Sequence, residues 1–100
     1  MNRNMLKQAQ QLQAKLAKAQ EELELETVET TSGGGAVKII ATGKQVISSI
    51  IIDPDAIDPE DVEILQDMLL VGINDALAQS QELAAKRIGA ITGGLNFPGM

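Results

Sequence analysis

Chemistry in this 100-residue chain falls to carboxylates, lysines and arginines: it has fourteen acids, eight bases, and no histidine, cysteine, tyrosine or tryptophan. Without imidazole or thiol there is no Ser-His-Asp triad, thiolate nucleophile, disulfide, or His- or Cys-ligated metal. Phe97 is the single aromatic residue. No platform exists for stacking unpaired bases, which argues against single-strand readers.

Two acid- or glycine-rich stretches invite a sharper reading and fail on detail. Asp53, Asp55 and Asp58 raise the alternative of a calcium loop. Such a loop needs Gly at its sixth position and Glu at its twelfth; here these are Asp58 and Ile64. Helix capping accounts for the acids, and no pocket-forming aromatics accompany them for acid–base catalysis. Gly33-Gly34-Gly35 could cradle phosphate only with Gly-Lys-Ser/Thr opening a helix. Ala36-Val37-Lys38-Ile39-Ile40 follows instead and reads as a strand. No enzyme activity, cofactor, metal or small-molecule substrate is expected.

The bases are arranged more tellingly. The net charge of −6 divides into +4 over residues 1–20, −10 over 21–67 and 0 over 68–100. Arg3, Lys7, Lys15 and Lys18 make up the basic end. On a helical wheel they fill an arc about 120° wide, set about 140° from an apolar seam. That arc is either a solvated face opposite a core or a surface for anions.

These residues need a frame. The seam Met5, Ala9, Leu12, Leu16, Ala19, Leu23 recurs at spacings of 4 and 3, an a/d heptad pattern. Asn4 to Glu24 all tolerate a helix of about 33 Å. Leu25 to Thr31 reads as a strand, broken by Ser32 to Gly35. Gly43-Lys44 reads as a two-residue II′ hairpin loop with Gly at the positive-φ position. The third strand then runs from Gln45 to Ile52. This turn pairs Thr42 with Gln45, Ala41 with Val46, Ile40 with Ile47, Ile39 with Ser48 and Val37 with Ile50. One face carries Val37, Ile39, Ala41, Val46, Ile50 and Ile52. The other still carries Ile40, Ile47 and Ile51, too apolar for a wet face. Pro54 to Ile57 reads as a short helical turn. Asp58 as N-cap and Pro59 at N1 then open a helix to Ile88, about 45 Å long. Gly72 inside it marks a close crossing. Lys86 and Arg87 lie in its last turn. Residues 89–100 read as a flexible Gly-rich tail.

The expectation is one α+β domain over 1–100: a long N-terminal helix, a three-stranded antiparallel meander and a long C-terminal helix after a short turn. Two helices of this length overhang one small sheet, and overhanging apolar seams call for a second copy. The chain opens Met1-Asn2-Arg3-Asn4 without an apolar export signal, and its longest apolar run, Met68 to Val71, is too short to cross a bilayer. A cytoplasmic, membrane-free protein is expected.

Several segments together resemble the YbaB/EbfC family of bacterial nucleoid-associated proteins. They are Leu6-Lys7-Gln8-Ala9-Gln10-Gln11-Leu12-Gln13-Ala14-Lys15-Leu16 with Gln20-Glu21-Glu22-Leu23, Gly33 to Ile39, Thr42-Gly43-Lys44, and Ile50 to Pro54. Leu69 to Ala76 and the closing Gly93-Gly94-Leu95 to Pro98-Gly99-Met100 extend the likeness over nearly the whole chain, in order. The resemblance implies an intertwined homodimer with projecting helical arms. It also implies binding to double-stranded DNA with little sequence preference, a nucleoid location and effects on gene expression. Carried over by position, it makes Lys7, Lys15 and Lys18 DNA contacts; Arg3, Lys86 and Arg87 are added on charge and location. Leu12, Leu16, Leu23, Ile40, Ile47 and Ile51 are the expected dimer contacts, with helix seam and sheet face both open as the interface. The acidic balance, with a calculated pI near 4.4, is unusual for a DNA binder. It confines binding to the arms and gives the chain a competing reading as a protein–protein adaptor.

Overall fold

The computed structural model describes residues 2–93. Helix α1 spans Arg3–Leu25, strands β1, β2 and β3 span Thr27–Ser32, Val37–Thr42 and Ile47–Ile52, and helix α2 spans Val62–Thr92. One-turn 3-10 segments cover Gly33–Gly35 and Pro54–Ala56. The sheet is an antiparallel meander in the order β1-β2-β3. The expected α+β architecture and element order hold.

Local chemistry explains most boundaries. Asn2 caps α1, its Oδ1 accepting the Met5 N–H at 2.8 Å. Three glycines with positive φ, Gly33 to Gly35, turn the chain from β1 into β2. Asp53 caps the turn after β3 by accepting the Asp55 N–H at 3.0 Å. Asp58 does not cap α2 as expected. Its carboxylate accepts the Glu60 N–H at 2.9 Å and its carbonyl the Asp61 N–H at 3.0 Å, closing a separate turn. The helix therefore starts at Val62. At the other end α2 continues through Gly89 to Thr92, taking up the first residues of the segment read as a tail. Residues 94–100 of that segment lie outside the described residues.

The hairpin between β2 and β3 corrects the expected register. Val37 pairs with Ile52, Ile39 with Ile50, Ile40 with Ser49 and Ala41 with Ile47, with an irregularity at Ile40/Ala41. The loop is three residues long, Gly43-Lys44-Gln45, closed by the Thr42 N–H donating to the Val46 carbonyl at 2.8 Å. The left-handed residue is Gln45, with φ 63°, and Gly43 is not among the positive-φ positions. A type I turn followed by a left-handed residue is a common three-residue hairpin solution. Gly43 has a different reason to be glycine. A Cβ there would lie 2.7 Å from Leu23 Cδ2 and 2.9 Å from the Leu23 carbonyl. The bulge moves Ile47 onto the face of Ala41, where it packs against the core. Val46, expected opposite Ala41, is exposed beside the loop.

Ser80 fixes this loop to α2. It is fully buried. Its hydroxyl donates to the Thr42 carbonyl at 2.6 Å and accepts the Gln45 N–H at 2.9 Å. The second bond helps hold a non-glycine residue in a region that carries strain. Ser80→Ala removes both bonds and is expected to lower stability by about 1–2 kcal/mol in a denaturant titration.

The core lies between α2 and the sheet. Val37, Ile39, Ala41 and Ala76 are fully buried, with Leu65, Met68, Leu69 and Ile73 of α2 packed on them. Gly72 is the expected close crossing: a Cβ there would stand 3.0 Å from Ile39 Cγ1. Its carbonyl accepts from Thr30 Oγ1 at 2.9 Å. α2 lies mainly over β1 and β2. β3 extends past its cover, leaving Ile50 47% exposed, and Ile51, on the opposite face of the sheet, is 51% exposed.

The long helices overhang the sheet as their lengths require. The molecule measures 69 × 28 × 16 Å with a radius of gyration of 19.2 Å, against about 13 Å for a globule of this length.

Candidate nucleic-acid interface

α1 forms an arm whose two faces divide as the wheel predicts. Leu23 and Ala19 are buried and Leu16 and Leu12 half-buried, while Ala9 and Met5 are exposed. The seam thus grips at its C-terminal end and opens toward the N-terminus. There an open cleft lies between the helices, lined by Met5, Gln8, Ala9, Gln11, Leu12, Lys15 and Ile91.

Arg3, Lys7, Lys15 and Lys18 are all exposed. Over 15 residues they extend along about 22 Å of helix. Their electrostatic setting differs from that of the other bases. Among the described residues, the salt bridges take up Lys38 with Glu29 at 3.6 Å, Lys44 with Glu24 at 3.8 Å and Lys86 with Glu82 at 3.6 Å. Arg87 holds Glu22 at 2.8 Å and also Glu26. None of these pairs involves the four bases of the arm. The structure therefore brings four of the six expected DNA contacts onto one helix and leaves two elsewhere. Lys86 stands on α2 in an exposed i,i+4 pair.

Arg87 is turned back onto α1. Its Nη1 donates to Glu22 Oε2 and its Nη2 to Glu26 Oε1. The hydrogen bond to Glu26 raises its pKa above the ordinary value, with both carboxylates' charges adding and desolvation opposing. Arg87 stays cationic at any accessible pH, with its charge compensated. Glu22 and Glu26 are partners of Arg87 that the sequence alone does not single out. A signal was present: two acids at i,i+4 repel unless a cation joins them.

The expected dimer contacts also separate. Leu23 is 1% exposed and spent inside the chain. Ile47 is half-buried against the core. Leu12, Leu16 and Ile40 are half-buried and Ile51 is exposed. Among the described residues no helix is long and apolar enough to cross a membrane, and no group of three or more acids, histidines or cysteines could hold a metal.

The model of the YbaB/EbfC DNA-binding family matches residues 1–95. The chain belongs to the YbaB/EbfC family. A nucleoid-associated protein of Desulforamulus reducens is 60% identical over 96 residues, covering 96% of this chain and 91% of its own. A nucleoid-associated protein of Pelotomaculum thermopropionicum is 50% identical over 96 residues, with the same coverage. An uncharacterised protein of Helicobacter pylori, HP0035, superposes with a TM-score of 0.76 at 22% identity, covering 96% of this chain and 99% of its own. That likeness concerns the fold. This YbaB/EbfC member presents on α1 the four bases that lie outside the salt bridges of the described residues.

Proposed function

We propose that this chain binds double-stranded DNA through the phosphate backbone, as a homodimer with two α1 arms, and so organises nucleoid DNA or influences gene expression. The observation that carries the reading is the partition of cations. The four outside the salt bridges of the described residues share one exposed helix. Four such bases on each of two arms offer about four to eight phosphate contacts. The slope of log K against log salt is then about −4 to −7. Few side chains suited to base edges accompany them, which favours weak sequence preference. The test is a gel shift with duplexes of unrelated sequence over a salt series. A flat salt response, or one strongly preferred sequence, would count against it.

The dimer reading rests on β3. It is an edge strand without charge or proline, reading Ile47-Ser48-Ser49-Ile50-Ile51-Ile52. The opposite edge, β1, carries Glu29 and three threonines. An uncharged apolar edge is a template for pairing with another chain. Near it in the chain, α2 exposes Ile64, Leu70 and Val71. Light scattering should give the mass of two chains, and Ile51→Lys should shift it toward one. A wild-type mass of one chain would sink this part.

A further inference from the structure

The hold on α1 is concentrated in its last two turns. Ala19 and Leu23 are its only buried residues among those described, and Arg87 reaches across from α2 to the same stretch. Glu26 is held closely: its second oxygen, Oε2, is buried without a hydrogen-bond partner among the described residues. Beyond this grip the arm runs out past half-buried Leu16 and Leu12 to exposed Ala9 and Met5. The basic residues therefore sit on a lever whose root is a salt-bridged clamp.

We propose that Arg87, through Glu22 and Glu26, is a positioning residue for the basic arm: it sets the angle of α1 against α2 without itself touching DNA. The proposal rests on the DNA-binding reading above. Lys7 is 15 residues from Glu22, about 22 Å along the helix. A swing of about 10° at the clamp moves it by about 4 Å, comparable with the axial rise of about 3.4 Å per phosphate on one strand. A small loss of angular control therefore takes a lysine off its phosphate. Arginine suits the role because its planar fork engages two carboxylates in fixed directions, which a lysine ammonium cannot do. The clamp links residues 61 and 65 positions apart in the chain. Its geometry thus depends on the folded body, and the arm inherits that geometry.

The test compares Arg87→Lys with Arg87→Gln in duplex titrations over a salt series. A circular-dichroism melt checks that each variant folds. Positioning predicts that Arg87→Lys loses affinity as far as Arg87→Gln, about tenfold, the worth of about one phosphate contact at 0.1 M salt. In a Glu22→Gln/Glu26→Gln background, Arg87→Gln should add no comparable loss. A second readout needs no DNA. The chain has no cysteine, so spin labels at Gln10→Cys and Asn74→Cys report the angle between the helices when diluted with unlabelled chain. Their distance distribution should broaden in both Arg87 variants. Wild-type affinity in Arg87→Lys, with Arg87→Gln weaker and its salt slope smaller by about 0.9 to 1.8, for one or both subunits of the dimer, would make Arg87 a direct phosphate contact and overturn the proposal. Unchanged label distances in Arg87→Gln would overturn it as well. A wild type that fails to bind any duplex removes the underlying reading, and the label distances would report that failure separately from the clamp.

Discussion

The triple variant Lys7→Glu/Lys15→Glu/Lys18→Glu should lose duplex affinity by about 10³-fold or more at 0.1 M salt, with the fold intact. Each phosphate contact contributes through release of condensed counterions, and the loss compounds over both arms. Removing about three to six contacts accounts for the magnitude, and reversal adds repulsion. The substituted positions are exposed and outside the salt bridges among the described residues. Glutamate is a helix former comparable to lysine, so the melting transition should stay close to that of wild type. A gel shift at several salt concentrations checks both affinity and slope. Retention of wild-type binding would remove α1 as the interface. The acidic body makes the test sharper. With −10 over residues 21–67, the chain offers no diffuse positive field to replace the lost contacts.

Chain segments with strong local signals were legible in advance. The seam from Met5 to Leu23 announces a helix with one buried stripe, and the bases fall on its far side by angle alone. Gly72 inside an apolar helix signals the close crossing that Ile39 makes. The order helix, three strands, helix follows from the breaks at Ser32 to Gly35 and Asp53-Pro54. What stayed hidden depends on contacts between distant residues. The hairpin register turned on Gln45 accepting a left-handed conformation, and that conformation is supported by Ser80, 35 positions away. Gly43 read as a turn glycine and proved to be a packing glycine, because Leu23 lies against it. Arg87 read as a DNA contact in the last turn of α2. Its partners on α1 lie too far away in sequence for spacing to show them. The +4 of the first twenty residues was visible in the sequence; that the remaining bases are paired off was not.

The largest stability effect is expected from Leu23→Ala. Leu23 is 1% exposed and seats the root of α1 on the hairpin. Its carbonyl accepts the Gly43 N–H at 2.9 Å, and the same N–H reaches the Glu26 carbonyl at 2.9 Å. Truncation removes buried methyl groups and leaves a cavity beside the Gly43 backbone. The cost should be about 2–5 kcal/mol. For a domain of this size that lowers the melting temperature by roughly 10–30 °C, measured at one protein concentration because association shifts the transition. Leu16→Ala, at a half-buried position of the same seam, should cost clearly less. Gly43→Ala attacks the seat from the other side, with its Cβ meeting both the Leu23 side chain and its carbonyl. In the double variant Leu23→Ala/Gly43→Ala the side-chain clash is relieved and the backbone clash remains. Its loss should therefore fall short of the sum of the single losses, the behaviour of residues in direct contact. Strict additivity, or a Leu23→Ala melt within about 2 °C of wild type, would show that α1 is rooted elsewhere. The clamp at Arg87 would then lose its fixed base, because a lever can be aimed only from a seat that does not move.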